Sequence, residues 1–301
     1  MEHPFHTVTA ADIDTLKKYF PLRAHKSCDS VFLDMFLWKD YYRVRIRETK
    51  GRALEWIQEV DGKLYAGIPV CAPEDLPRFF LNTQEYFNRE EKKKMVVYSA
   101  DEEAVELLNL PESGYLVEEK PEYADYLYDA DALRSLSGKK YHKKKNHVNA
   151  FRKEYDGRFC YRPLNCGQTD AVAEFLSRWK EMRGEETDEQ LEAELRGISD
   201  ILKHCSQVQA RMAGIYVDET LEAFTLGSYN EEKRMAIIHI EKANPTIRGL
   251  YPFINQQFLI HEFPDALLVN REDDAGVEGL RKAKLSWHPV DMARKYRIEQ
   301  R

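Results

Sequence analysis

Two hydrophobic periods alternate along residues 158–285, and no other feature restricts the fold so strongly. Residues 158–165 (RFCYRPLN) alternate apolar and polar positions, as a half-buried strand does. A helix capped by Thr169 or Asp170 follows through about Arg183, with Val172, Phe175, Leu176 and Trp179 at helical spacing. Residues 187–205 form a second amphipathic helix. MAGIYVD and LEAFTLGSY read as a hairpin, 234–243 as a third strand, GLYPFINQQFLIHEF as a helix with Pro252 in its first turn, 265–270 as a strand, and GVEGLRKAKLSW as a closing helix. The order is β, α, α, β, β, β, α, β, α, and it predicts helices packed on a mixed sheet.

The first half repeats that plan without repeating the sequence. FHTVT, RVRIRE, ALEWIQEV, KLYAGIPV and KMVVYSA read as strands, the middle pair joined at Asp61-Gly62, a strong two-residue hairpin signal. AADIDTLKKYF, SVFLDMFLWKDYY, EDLPRFFLNTQEYFNREE and DEEAVELLNL read as helices, and YLVEEK with YADYLYDA as a hairpin. The predicted organisation is a first domain over 1–135, a basic connecting helix over 136–157 and a second domain over 158–301.

The connecting segment is where charge departs from the rest. Between Lys139 and Lys153 stand seven Lys/Arg and no acid, in a chain of net charge −7 that would carry −14 without them. On a helix, His142, Asn146, Asn149 and Lys153 share a polar stripe, while Tyr141, Val148, Phe151 (or Arg152) and Tyr155 share an apolar one. The apolar stripe predicts docking on a domain, and the lysines predict salt-sensitive attraction of phosphates. A solvated basic helix is the alternative reading. Five widely spaced cysteines (28, 71, 160, 166, 205) without a CxxC predict neither a disulfide framework nor a zinc site. With no apolar run long enough for a membrane span and no signal-peptide pattern, the expected location is the cytoplasm.

Three constellations could carry chemistry. His239 and Glu241 stand two apart on a predicted strand and suit a base with its orienting partner, or a polar strand edge. Asn270, Arg271, Glu272, Asp273 and Asp274 follow a strand, where ligands of α/β sheets sit. Their carboxylates suit an ammonium group, or only the start of the next helix; Arg281 and Lys284, one turn apart, suit a phosphate or carboxylate. Arg248-Gly249 opens a helix at the place where an acyltransferase of the GNAT type, which this element order resembles, holds the pyrophosphate of coenzyme A. Thr246 replaces that motif's Gln/Arg, however, and Tyr251 its small residue. There is no GxGxxG, P-loop, HExxH or GxSxG, and no metal is expected.

Taken together, SGKKYHKKKNHVNAF, HIEKANPTIRGLYPFINQQF and NREDDAGVEGLRKAKLSWHP resemble a bacterial family of soluble proteins similar to the cytoplasmic catalytic domain of phosphatidylglycerol lysyltransferase. The resemblance implies an α/β (α+β) chain of two tandem GNAT-like domains, each a mixed sheet flanked by helices, as also in Fem-type peptidyltransferases. It implies transfer of an aminoacyl group from aminoacyl-tRNA to a hydroxyl or amine acceptor, a small molecule or a lipid head group at the membrane surface, with no tightly bound cofactor. His142, Lys143, Lys144, Lys145, Asn146, Asn149, Arg248 and Gly249 would then face the tRNA acceptor end. Glu272, Asp273 and Asp274 would lie by the amino acid's ammonium, and Arg281 and Lys284 by a phosphate. An acyl-coenzyme A-dependent N-acetyltransferase, or a ligand-binding member without catalysis, fits the same fold.

Overall fold

The computed structural model describes residues 4–184 and 189–301, so the predicted start of the second amphipathic helix at 187–188 lies outside the described residues. Two compact units each hold a mixed sheet flanked by helices. The first comprises 1–125, 273–277 and 292–301, and the second 126–272 and 278–291. This division differs from the expected one. The basic helix belongs to the second unit, and the C-terminal strand Lys295–Gln300 lies in the first unit's sheet. The expected hairpin between YLVEEK and YADYLYDA is also absent. Tyr115–Glu119 pairs with Lys295–Gln300, whereas Asp125–Asp129 pairs with Leu268–Asn270.

In the first unit the strands run in the order His6–Thr7, Arg45–Thr49, Ala53–Val60, Lys63–Ala66, Val96–Asp101, Lys295–Gln300, Tyr115–Glu119. Asp61 and Gly62 take positive φ between Val60 and Lys63, the turn the sequence announces. The helix Leu76–Arg89 buries Phe79, Phe80 and Phe87 in a core with Ile57, Val97 and Ile298. Charges are also buried here in pairs. Arg23 clasps Asp101 through two bonds of 2.7 Å, and Lys295 Nζ lies 2.7 Å from Asp125. Burial alone would raise the Asp101 pKa, but His25 and Arg23 outweigh it and hold the carboxyl down at about 2.

In the second unit the strands run in the order Asp291–Ala293, Asp125–Asp129, Leu268–Asn270, Met235–Ala243, Thr220–Asn230, Arg211–Val217, Phe159–Leu164. From Asp125–Asp129 to Phe159–Leu164 the pairings are antiparallel except that of Met235–Ala243 with Leu268–Asn270. The helix Leu250–Glu262 supplies the crossover, as a parallel pair requires. The basic helix His142–Glu154 packs on that crossover helix as its apolar stripe predicts. Phe151, fully buried, meets Phe253 at 4.6 Å and Phe159 at 5.2 Å between ring centroids. Burying a phenylalanine of this kind contributes about 2–3 kcal/mol, which is why so charged a helix stays docked.

One expectation from composition fails. Cys166 and Cys205, 39 residues apart, form a disulfide. Cys166 opens the turn before the helix Thr169–Arg183, and Cys205 opens the short helix Cys205–Val208; their Cα atoms lie 5.6 Å apart. Spacing along the chain carries no record of that meeting. No helix among the described residues is long and apolar enough to cross a membrane.

Candidate active site in the second unit

The site is built on an irregularity in the sheet. Ile240 stands opposite Leu226 and Ile238 opposite Gly227, so the strand Met235–Ala243 carries one extra residue, His239. A bulge of this kind breaks the two-residue alternation and re-aims a side chain. His239 therefore does not share partners with Glu241, as simple alternation predicts. Its Nδ1 lies 2.8 Å from Glu272 Oε1 and its Nε2 lies 2.8 Å from Ser228 Oγ. The imidazole is fully buried.

Glu272 is held in place from several sides. Its backbone takes φ +59°, a left-handed conformation costing a non-glycine residue about 1–2 kcal/mol. Its N–H donates to Asn270 Oδ1 at 2.6 Å, and its carbonyl accepts from Tyr126 N–H at 3.1 Å and from Lys284 Nζ at 3.3 Å. Lys284 Nζ also donates to the Arg271 carbonyl. Strain maintained by this many bonds marks a residue whose direction matters.

Beside this lies a second polar cluster. Glu241 accepts from Arg271 at 3.0 Å through one oxygen and from Asn255 Nδ2, on the crossover helix, at 2.8 Å through the other. Arg271 also lies over Trp287, 5.3 Å from the ring centroid, and Lys144 Nζ lies over the same ring at 4.4 Å. Lys144 donates to Ser286 Oγ at 2.8 Å. Burial, then the neighbouring Arg271 and Lys143 cations, bring the Lys144 pKa down to about 8. Its charge near neutrality is thus adjustable, unlike that of an ordinary surface lysine.

The other expected residues fall into three groups. His142, Lys143, Lys145, Asn146 and Asn149 are exposed along the basic helix, with His142 Nδ1 3.4 Å from Asn146 Nδ2. Asp273 and Asp274 belong to the first unit, where each accepts a backbone N–H two residues on, from Ala275 at 2.7 Å and Gly276 at 3.0 Å. The run Glu272, Asp273, Asp274 is thus split by role, and only Glu272 joins the cluster in the second unit. Lys284 braces the backbone under Glu272, and Arg281 is exposed on the helix Glu278–Leu285. Arg248 is exposed, while Gly249, at φ +84°, sits where the crossover and basic helices meet. A Cβ there would strike the His147 carbonyl oxygen and lie 2.9 Å from its carbon. The glycine is explained by helix contact without any phosphate. Tyr251, in the small-residue position of the coenzyme A motif, is fixed by Trp179 Nε1 at 3.3 Å.

The family described as "Phosphatidylglycerol lysyltransferase, C-terminal" matches residues 20–299. The chain belongs to that family. It is a transferase family, and the match takes in both units. Among solved structures, a conserved protein of unknown function from Bacteroides thetaiotaomicron is similar at 27% identity and TM-score 0.88, over 100% of both chains. L-PGS from Bacillus licheniformis is similar in fold alone, with 16% identity, TM-score 0.68, 95% of this chain and 91% of that one covered. An uncharacterised protein of Mycoplasmoides gallisepticum is 28% identical over 177 residues, 58% of this chain and 56% of its own length.

Sequence reasoning did not find Ser228, Asn255 or Trp287, nor the pairing of His239 with Glu272. Ser228 and Asn255 read as ordinary strand and helix residues. Trp287 does lie within the KLSWHP stretch that carries the family resemblance. Only a bulge could have separated His239 from Glu241, and no residue near it announces one.

Proposed function

We propose that the second unit moves an aminoacyl group from an aminoacyl-tRNA to a hydroxyl or amine acceptor. The observation that carries this reading is the continuity of the basic helix with the polar cluster. Exposed Lys143 and Lys145 flank Lys144, whose ammonium lies over the same indole ring as Arg271, and Arg271 is adjacent in sequence to Glu272. Phosphates of a tRNA acceptor end would meet the exposed lysines, and the activated ester would follow them toward His239. An aminoacyl ester already carries its activation, so the protein must position the two reactants and move one proton. In this reading His239, held by Glu272, takes the acceptor's proton. No cofactor is needed for this chemistry, and lysine with a phosphatidylglycerol head group is the donor and acceptor pair that the family's description suggests.

The test is the melting temperature with bulk tRNA, with coenzyme A and with neither, at low and high salt. A ligand at about 100 times its Kd stabilises by about 2.7 kcal/mol, enough to shift the transition by several degrees. The expected result is a salt-sensitive rise with tRNA alone, lost when Lys143, Lys144 and Lys145 are changed to Glu. A rise with coenzyme A alone overturns the reading in favour of an acyl-coenzyme A transferase.

A further inference from the structure

We infer that Ser228 is a nucleophile, the first member of a Ser228–His239–Glu272 relay that carries the acyl group covalently between donor and acceptor. The identity of the donor rests on the function proposed above, but the nucleophile does not. A carboxylate offers only acceptor oxygens, so at 2.8 Å from Glu272 Oε1 the His239 Nδ1 must be the donor. A neutral imidazole carries one N–H, so with the proton on Nδ1 the Nε2 is a bare acceptor. With Glu272 ionised and the imidazole neutral, Ser228 Oγ, 2.8 Å from that nitrogen, donates its hydrogen to it. Hydroxyl, base and orienting acid stand in sequence, each within hydrogen-bond reach of the next, which is the geometric signature of an activated hydroxyl.

Exposure and backbone agree with this role. The His239 ring is fully buried, while Ser228 as a residue is half-buried, so the base lies deeper than the residue that carries the hydroxyl. Glu272, 33 residues further along, meets the ring from a left-handed backbone held by Asn270, Tyr126 and Lys284, so its direction toward His239 is fixed. The bulge at His239 is what turns the ring toward both partners.

The step balances without a redox partner. Ser228 Oγ attacks the ester carbonyl carbon and passes its proton to His239 Nε2. The tetrahedral adduct collapses, the bond from carbon to the ribose oxygen breaks, and that oxygen takes the proton from Nε2. The product is an aminoacyl ester of Ser228. A hydroxyl, an amine or water then gives its proton to Nε2 and attacks the new ester, and Ser228 departs with that proton. Glu272 touches no reacting atom and acts as a positioning residue.

The experiment uses the full chain and p-nitrophenyl acetate, with no tRNA present, following p-nitrophenolate release by stopped flow and the protein by intact mass and peptide mapping. The expected result is a burst of one equivalent with one acetyl group mapped to Ser228. Ser228→Ala should abolish the burst, and Ser228→Cys should restore an adduct as a thioester. Glu272→Gln should slow acylation about 100-fold or more and alter its pH profile, which a purely structural role would not do. A burst that persists in a folded Ser228→Ala protein, or a folded wild-type protein that acquires no acetyl group at Ser228, overturns the inference. Because tRNA is absent, this result judges the nucleophile alone, and the melting-temperature test judges the donor.

Discussion

Gly249→Ala separates a structural from a ligand-binding role at the position that most resembles a phosphate loop. Two costs add. The backbone there has φ +84°, and a side chain in the left-handed region costs about 1–2 kcal/mol. The new methyl would also strike the His147 carbonyl oxygen, lying 2.9 Å from the carbonyl carbon and 3.2 Å from Phe151 Cβ. Two of those three atoms are backbone of a helix, so no side-chain rotation relieves the clash and the helices must separate. Forced overpacking of this kind costs about 1–3 kcal/mol. The sum, about 2–5 kcal/mol, is a large part of the stability of a typical domain. At roughly 2–4 °C per kcal/mol the melting temperature should fall by about 4–20 °C, measured by circular dichroism or calorimetry. An unchanged melting temperature together with lost tRNA or phosphate binding would refute the reasoning and return the glycine to a ligand.

Four further outcomes follow from the same physics. Lys144 loses its charge as pH rises through about 8, so tRNA affinity should show a step there that Lys144→Met lacks, and that variant's log–log salt slope should fall by about 0.7–0.9. Removing Arg23 leaves Asp101 buried without its clasp, so Arg23→Met should cost about 3–5 kcal/mol in denaturant titrations at neutral pH. The Asp101 pKa is depressed, so its contribution is fully present above about pH 4 and fades as pH falls from about 4 toward 2; acid titration of Asp101→Asn should lose stability less steeply over that window. Reduction, or Cys166→Ser, reopens a loop of 39 residues and should cost up to about 4 kcal/mol, read as a lower melting temperature under reductant.

Much of the fold was legible because burial imposes periods on a sequence. Val172, Phe175 and Trp179 announce a helix, Asp61-Gly62 announces a hairpin, and Val148, Phe151 and Tyr155 on one stripe of a lysine-rich helix announce its docking. What was not legible depends on long-range meetings. Lys295–Gln300 enters the sheet of the first unit, nearly two hundred residues after Val96–Asp101, and nothing local distinguishes it from a strand of the second. Cys166 and Cys205 meet only because two helices bring them together. In the site, the sequence placed His239, Glu241, Arg271 and Glu272 in play but paired them wrongly. An extra residue at His239 exchanged Glu241 for Glu272, and Glu241 went to Arg271 and Asn255 instead.

The most direct test is release of labelled amino acid from a mixed pool of aminoacyl-tRNAs, with and without phosphatidylglycerol vesicles and small amine acceptors. The account predicts release faster than in buffer for at least one aminoacyl-tRNA, acceleration by one acceptor class, and loss of both in His239→Gln and in the Lys143, Lys144, Lys145 triple Glu variant. Release no faster than buffer for every amino acid, from folded protein with every acceptor, would contradict it.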